Sequence, residues 1–162
     1  FHRHADRIRL ANLAQTVNVL QSIVLTKDDQ MIVTPTYHVF DLLKTHQESA
    51  FIPVVWTESP RSIEMELPHV DLSASLASDG SVTVTLVNLS ADRTALIEID
   101  FAGQSPRLLE ARVLAGEITD HNTFEEPEKV TPSELAEATV TDSQIEARVP
   151  PCGIASMRVE LS

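Results

Sequence analysis

The sequence has 162 residues, 43% hydrophobic but only 4% aromatic, which allows one ordinary domain, or a small domain with part of another, around an aliphatic core. The net charge of -12 lies wholly beyond residue 50, because residues 1–50 carry five basic and five acidic side chains. An acidic surface repels phosphate backbones, and no apolar run approaches the ~20 residues of a membrane span, so we expect neither nucleic acid nor a membrane as a partner.

The first fifty residues contain two apolar stretches with helical spacing. The first runs from Ile8 to Leu20, where apolar side chains recur three and four residues apart. Two short β-branched runs follow, Ser22–Thr26 and Met31–Thr34, and the polar residues between them allow a hairpin or an extended connection. Pro35 precedes the second stretch. Because proline is tolerated in a first helical turn, a helix is predicted there.

Prolines separate the two halves of the chain. Pro53, Pro60 and Pro68 disfavour helix at and before themselves, so residues 51–68 are interpreted as a crossover between domains. From His69 onward apolar and polar residues alternate with the period of a β-strand. The pattern predicts strands at Val70–Leu76, Val82–Leu86, Ala95–Phe101, Leu108–Leu114, Ile145–Val149 and Ile154–Leu161. Short strands with turn signals between them predict an antiparallel sandwich.

Some local features look functional but have simpler interpretations. Asn88-Leu89-Ser90 matches a glycosylation sequon, yet Asn and Ser are favoured at turns, so a turn is predicted. His2 and His4 point apart on a helix, and we expect no metal and no cofactor. Cys152 is the only cysteine; we predict a small buried thiol, which fits a reducing compartment such as the cytoplasm. Thr119–Pro132 is polar and is predicted to form a long loop.

The residues of several segments resemble those of one known enzyme family. The segments are Phe1–Arg7, Leu10–Leu20, Thr34–Phe40, Lys44–Gln47, Asp120–Glu125 and Pro150–Ala155. Together they resemble the C-terminal part of the retaining α-L-arabinofuranosidases of glycoside hydrolase family 51. The resemblance covers essentially the whole chain, and the first fifty residues are its most specific part.

The resemblance implies the end of a (β/α)8 barrel, its last helix-strand-helix, followed by an all-β, jelly-roll-like antiparallel sandwich. On that template residues 1–12 are the helix before the last barrel strand, Leu13–Val17 contain that strand, and Tyr37–Gln47 form the last helix. This differs from the helical interpretation of Ile8–Leu20, and we follow the resemblance because β-branched residues there suit a strand. The implied domains are a barrel end over 1–50, a crossover linker over 51–68 and a sandwich over 69–162.

The resemblance also implies a sugar-binding residue. Barrel active sites lie at the carboxyl ends of strands, which places Gln15, in its Ala-Gln-x-Val-Asn context, at the substrate. Its amide offers one acceptor and two donors for sugar hydroxyls, although a buried amide bonded to barrel backbone is the alternative. Asn18 is a second candidate, for which a turn-forming role is the alternative. Tyr37 and His38 are expected to pack the helix.

The family mechanism needs two carboxylic acids, which the resemblance places in earlier barrel strands. Asp28 and Asp29 lie in a polar turn, Glu125 and Glu126 in the long loop, and none of them matches the family's catalytic motifs. We therefore expect no catalytic residue in this chain. The chain begins at Phe1 with neither an initiator Met nor a signal-peptide pattern, and we expect the catalytic glutamates upstream of it.

Two functions compete. In the first, the chain is part of an arabinofuranosidase that hydrolyses terminal non-reducing α-L-arabinofuranosyl residues from arabinose-containing polysaccharides and oligosaccharides. The chain alone is then inactive, and its partners are the remainder of the same enzyme, the substrate and further copies in a homo-oligomer. In the second, the sandwich is a non-catalytic module for carbohydrate binding or subunit assembly. Sugar-binding faces usually display aromatic platforms, and only Phe101 and Phe124 lie beyond residue 68, so the first function is favoured.

Overall fold

The computed structural model describes residues 1–8, 10–13, 15–56 and 69–162. Its strands are β1 (Val24–Lys27), β2 (Gln30–Val33), β3 (Ala50–Ile52), β4 (Val70–Leu76), β5 (Val82–Asn88), β6 (Ala95–Asp100), β7 (Pro106–Leu114), β8 (Ser133–Glu134), β9 (Ala138–Val140), β10 (Gln144–Val149) and β11 (Ile154–Leu161). Its helices are α1 (Pro35–Leu43) and 3-10 turns at His2–His4 and Lys44–His46. Within the described ranges no helix is long and apolar enough to cross a membrane.

Two antiparallel sheets form the body of the domain. The larger has the strand order β3-β4-β5-β11-β7-β8 and the smaller the order β6-β10-β9. One hydrophobic core takes side chains from both sheets, among them Val70, Leu86, Ile97, Ile145, Ala147, Val149, Ala155, Met157 and Val159. Two sheets that share their inner faces in this way make a sandwich, so the predicted antiparallel sandwich is confirmed.

The period-two pattern explains how the large sheet divides its side chains. In β4, Val70, Leu72 and Ala74 are buried in the core, and Ser73 and Ser75 alternate with them. Successive side chains in a strand point to opposite faces, so the serines lie on the outer face of the sheet. A polar outer face of this kind is typical of an antiparallel sheet with one solvated side.

Strand β5 departs from that rule because both of its faces are buried. Val82, Val84 and Leu86 point into the core, while Thr83 and Thr85 on the outer face are also almost fully buried. The turn that follows α1 lies over this part of the sheet and covers it. The N-terminal third of the chain is therefore packed onto the sandwich along its central strands.

All six strands predicted from the alternation are present, with small shifts at their ends. The sequence pattern missed β8 and β9, which have two and three residues and are too short to show a period. It also missed β3, which pairs antiparallel with β4. The predicted linker over residues 51–68 therefore starts with two strand residues, and its part from 57 to 68 lies outside the described residues.

The predictions for the first fifty residues are partly wrong. The last helix was expected at Tyr37–Gln47 and is present as α1 with its 3-10 extension. The helix over residues 1–12 is reduced to the turn at His2–His4. The strand at Leu13–Val17 does not form in the described residues, where Val17 makes one isolated parallel bridge to Val24. A barrel strand needs paired strands on both sides, and the barrel portion that would supply them is not in this chain.

The helical alternative for Ile8–Leu20 is also wrong, and the backbone shows why. Gln15 has a φ of 50° and Asn18 a φ of 53°. This left-handed conformation cannot continue a right-handed helix. By contrast, the two β-branched runs do form a hairpin, with β1 paired to β2 and a turn at Asp28, whose φ is 54°.

The turn predicted at Asn88-Leu89-Ser90 is confirmed. The Asn88 side-chain amide donates to the backbone oxygens of Arg93, Val149 and Pro150 at 2.7, 3.0 and 3.0 Å. Its Oδ1 accepts from the backbone N–H of Ser90 at 3.0 Å. A buried amide with all these bonds holds the turn against the end of β10, and it is not accessible for glycosylation.

Because the two sheets share one core, truncating a buried methionine should lower the free energy of unfolding far more than truncating an exposed one. Met157 is 0% exposed in β11, whereas Met31 is 67% exposed in β2. Truncating a buried side chain loses its transfer free energy and leaves a cavity, so Met157→Ala should lower the free energy of unfolding by about 2–5 kcal/mol. Met31→Ala is the matched control and should change it by less than about 1 kcal/mol. Chemical denaturation of the 162-residue chain measures both, and equal losses would contradict the assigned core.

Candidate functional site

The predicted sugar-binding residue Gln15 lies on an exposed segment before the hairpin. The next residue anchors the segment, because the Thr16 carbonyl oxygen accepts from the backbone N–H groups of Ile23 and Val24 at 3.1 and 3.2 Å. The Asn18 backbone N–H donates to the Val24 oxygen at 3.1 Å. Gln15 is thus held in place by its neighbours while its own side chain is free to reach solvent.

The second candidate, Asn18, uses its amide on the hairpin. Its Nδ2 donates to the Thr26 hydroxyl at 2.8 Å, and its Oδ1 accepts from the Thr26 backbone N–H at 2.8 Å. These two bonds join both polar ends of the Asn18 amide to β1. Gln15 and Asn18 lie on the same short segment, and the hydrogen bonds of that segment all run to β1 or just before it.

The segment is joined in turn to the start of α1. The Thr34 hydroxyl donates to the Ser22 carbonyl oxygen at 2.8 Å, and the Thr34 backbone N–H donates to the Ile23 oxygen at 3.1 Å. Thr34 is the residue before α1, which begins at Pro35. The position of α1 therefore determines where the hairpin and the Gln15 segment lie.

A buried amide of the long loop holds the end of the hairpin. Asn122 Nδ2 donates to the carbonyl oxygens of Val33 and Val130 at 3.0 and 3.1 Å, and its Oδ1 accepts from the Val130 N–H at 2.8 Å. The loop itself is closed by Asp120, whose pKa is lowered by the backbone N–H of Glu117 and by Lys129. Asn122 therefore ties the sandwich loop to the strand that leads into α1.

The last turn of α1 is held by packing and by an ion pair. Leu42 is buried against Leu114 and Val130. Asp41 contacts Lys44 Nζ at 2.5 Å and Arg112 Nη1 of β7 at 3.5 Å. The hydrogen bond from Lys44, followed by the other contacts with Lys44 and Arg112, keeps the pKa of Asp41 below its usual value despite partial burial.

His46, in the 3-10 turn that follows α1, makes buried polar contacts with the large sheet. It is 7% exposed. Its Nδ1 lies 2.7 Å from the Ser75 hydroxyl and its Nε2 lies 2.7 Å from the Thr85 hydroxyl. The His2 ring lies against it in a tilted arrangement, with an interplanar angle of 52° and ring centroids 4.4 Å apart. Burial, and secondarily the nearby His2, lower the pKa of His46 to about 4, so the imidazole is neutral at pH 7.

His46 and Asn122 were not singled out by the sequence patterns, although both lie in segments that resemble the family. A usable signal does exist. Four neighbouring outer positions of β4 and β5 hold small hydroxyl residues, Ser73, Ser75, Thr83 and Thr85, and the pair Asp71 and Val87 lies at one end of this face. The hydroxyl side chains of this face are too polar for an apolar core, and they are shorter than the side chains of a typical solvated surface. This combination indicates that a polar group covers the face.

Apolar side chains of the N-terminal third remain exposed. Leu20 is 94% exposed. The others in this set are Phe1, Leu10, Leu13, Val17, Met31, Tyr37 and Phe40. Tyr37 presents its ring edge-on to the neighbouring His38 ring, with centroids 5.5 Å apart. Contiguous exposed apolar surface is typical of an interaction site rather than of a free surface.

Taken together, the contacts are those of a β-sandwich domain that holds a helix and the short exposed Gln15 segment in place. The described residues contain no group of three or more His, Cys, Asp or Glu side chains able to hold a metal ion. Asp28 and Asp29 lie at the hairpin turn, and Glu125 and Glu126 are exposed in the long loop. The polar chemistry present can bind hydroxyl groups and fasten segments together.

Comparison with known proteins identifies the family. The family model described as the alpha-L-arabinofuranosidase C-terminal domain matches residues 1–152, and the chain belongs to this family. It is 34% identical over 163 residues to the intracellular exo-alpha-L-arabinofuranosidase of Bacteroides ovatus, covering 99% of this chain and 32% of that protein. It is 29% identical to the intracellular exo-alpha-(1->5)-L-arabinofuranosidase of Streptomyces lividans, covering 96% of this chain and 24% of that protein.

Solved structures give the same result. The GH51 arabinofuranosidase from Xanthomonas axonopodis pv. citri superimposes with a TM-score of 0.91 at 36% identity, covering 99% of this chain and 33% of that one. An arabinose complex of the Thermotoga maritima alpha-L-arabinofuranosidase has a TM-score of 0.84 at 26% identity. The resemblance to family 51 is therefore confirmed, and the chain spans about a third or less of the length of these relatives.

The buried imidazole predicts a pH dependence of stability. The unfolded chain takes up the proton near the ordinary pKa of 6.5, whereas folded His46 takes it up only near 4. Its contribution is therefore fully present above pH 6.5 and is lost as pH falls from 6.5 to 4, by ~1.4 kcal/mol per pH unit or about 3 kcal/mol in total. Relative to the unmodified chain, His46→Gln should become less destabilising by about that amount between pH 7 and pH 4.

Urea unfolding at several pH values measures the difference in the free energy of unfolding between His46→Gln and the unmodified chain. The titration of the carboxylates cancels from this difference, because both proteins contain the same carboxylates. Gln47→Ala is the matched control, because Gln47 is the exposed neighbour and does not titrate. Its stability should run parallel to that of the unmodified chain. A His46→Gln difference that does not change with pH would show that the imidazole is not buried as described.

Proposed function

We propose that this chain is the C-terminal part of a retaining exo-acting α-L-arabinofuranosidase, which removes terminal non-reducing α-L-arabinofuranosyl residues from arabinose-containing polysaccharides and oligosaccharides. The observation that carries the proposal is the match of nearly the whole chain, in sequence and in fold, to one third of a GH51 arabinofuranosidase. The names of the two bacterial relatives support the exo mode of action and an intracellular location, so we place the enzyme in the cytoplasm.

In this proposal the chemistry belongs to the remainder of the same enzyme. Retaining glycosidases use two carboxyl groups about 5–5.5 Å apart, and the family resemblance places both on barrel strands upstream of Phe1. Residues 1–50 complete that barrel, residues 51–68 cross over, and residues 69–162 form a jelly-roll-like sandwich beside it. The pairing of β3 with β4 supports a boundary at about residue 50 and places the first linker residues in the sandwich sheet.

The exposed apolar side chains support this partner. Leu13, Val17 and Leu20 precede the hairpin, and Tyr37 and Phe40 lie on the side of α1 away from the buried Leu42. An apolar row on both segments is what a barrel would cover. Leu96 and Ile118 are further exposed apolar residues on the sandwich, and they support our expectation that the complete enzyme is a homo-oligomer.

The alternative, a carbohydrate-binding module, is less well supported by the aromatic residues. Phe101 packs against the core and Phe124 is half-buried in the loop. In the described part of the sandwich neither offers an open ring on which a sugar can stack. We therefore assign the sandwich a structural and subunit-contact role.

The first test concerns the isolated chain. Because no residue here matches the catalytic carboxylates of the family, we expect no hydrolysis of a nitrophenyl α-L-arabinofuranoside by the purified 162-residue chain. Co-expression with the upstream catalytic part should restore turnover and yield a complex that elutes as one species. Robust turnover by the purified chain alone would contradict the assignment of the catalytic carboxylates to the remainder of the enzyme.

The second test concerns Gln15. In the complete enzyme its amide should bond the arabinose or a catalytic carboxylate, and losing one such bond costs about 0.5–1.5 kcal/mol, more if a buried partner is left unpaired. We expect Gln15→Ala to lower kcat and kcat/KM by roughly ten- to a hundred-fold. Gln21→Ala is the matched control, since Gln21 is also exposed and has a φ of 56°. Full activity of Gln15→Ala would make the residue merely structural.

A further inference from the structure

His46 is placed where two central strands of the large sheet meet. Ser73 pairs with Thr85 and Ser75 with Thr83 across β4 and β5. His46 bonds Ser75 and Thr85, one from each pair. The ring therefore bridges both strands diagonally, and its position across the outer face is determined in two directions.

The bridge between Ser75 and Thr85 requires a hydrogen bond at each ring nitrogen of His46. In a neutral imidazole one ring nitrogen donates and the other accepts, and a hydroxyl group can play either part, so both nitrogens are satisfied. Ser75 and Thr85 are themselves buried. If the imidazole is removed, two buried hydroxyl groups lose their partner, which is more costly than losing an exposed bond.

The remaining attachments of α1 lie just before its start and in its last turn. Asn122 holds the Val33 carbonyl oxygen before the helix, and Leu42 packs on Leu114 and Val130 in its last turn. Beside Leu42, Asp41 forms an ion pair with Arg112 of β7. These contacts run to the long loop and to β7, whereas His46, three residues after α1, contacts β4 and β5. Without His46 the end of α1 would lose its side-chain hydrogen bonds to β4 and β5 and could shift relative to these strands.

Such a shift would be transmitted to the Gln15 segment. Thr34 joins the start of α1 to Ser22 and Ile23, and Ile23 in turn bonds the Thr16 oxygen beside Gln15. Each link is a hydrogen bond of 2.8 to 3.1 Å. The chain of contacts is short, and apart from the Thr34 hydroxyl it is carried by backbone groups.

We propose that His46, hydrogen-bonded between Ser75 and Thr85, is a positioning residue that fixes α1 on the sandwich and thereby sets the place of the Gln15 segment in the arabinofuranosidase site. The inference rests on the proposed function. His46 does not touch the sugar. Its effect is exerted through the geometry of Gln15, and small displacements of a positioned group are costly in catalysis.

The test uses the complete enzyme with His46→Phe, which keeps a ring of similar size but cannot bond the two hydroxyl groups. We expect kcat to fall by about ten- to a hundred-fold with KM changed by less than about threefold. His46→Gln, which can restore one of the two bonds, should recover part of the loss, and it replaces His46→Phe if that variant does not fold. Gln47→Ala on the same turn should leave both constants unchanged.

A double-variant cycle separates positioning from general destabilisation. If His46 acts through Gln15, His46→Phe should have little further effect in a Gln15→Ala background. Hydrogen exchange should show faster exchange in α1 while the β10 amides stay protected. Unchanged kcat, additive losses, or loss of protection in α1 and β10 together would each overturn the proposal. An unmodified enzyme without arabinofuranosidase activity would overturn the proposed function instead, and exchange in α1 would still decide whether His46 holds the helix.

Discussion

The outer face of β5 is buried although it is polar, because the strand lies inside a six-stranded sheet and the turn after α1 covers Thr83 and Thr85 on the side away from the core. A buried hydroxyl group without a partner is unfavourable, so a purely apolar cover would not suit this face. The turn after α1 supplies both covering surface and the His46 imidazole. The sandwich and the N-terminal third of the chain are therefore parts of one packed unit, even though the sequence divides them by composition.

Buried neutral groups, rather than charges, hold this unit together. The chain has a net charge of -12, and its ion pairs lie mostly on the surface, as between Arg107 and Glu160 or Arg93 and Asp92. Exposed ion pairs contribute about 0–1 kcal/mol and are screened by salt. His46, Asn88 and Asn122 are buried and bonded at each side-chain nitrogen or oxygen. The attachment of α1 should thus depend on salt only through the partly exposed ion pair between Asp41 and Arg112.

The sandwich could be predicted from the sequence because its strands are amphipathic. Val70, Leu72 and Ala74 alternate with polar residues, and that alternation alone determines which face is buried. Strands β8 and β9 could not be predicted, since their existence depends on the neighbouring β7 and β10 rather than on their own residues. Gln15 became a candidate only through the family resemblance. His46 was not predicted, because a single histidine forms no sequence pattern and its two hydroxyl partners are brought close to it only by the fold.

The irregular segment around Gln15 marks the limit of what the sandwich can order. Backbone N–H and C=O groups of a strand need partners on a neighbouring strand, and here the hairpin supplies them only as far back as Thr16. The described residues among 10–15 are exposed and irregular, and Leu13 in this segment suits a covered site. In the proposed enzyme a barrel strand beside Leu13–Val17 would supply the missing pairing. In that proposal the boundary between the two parts of the site would fall one residue from Gln15, with the hairpin on one side of the residue and the barrel on the other.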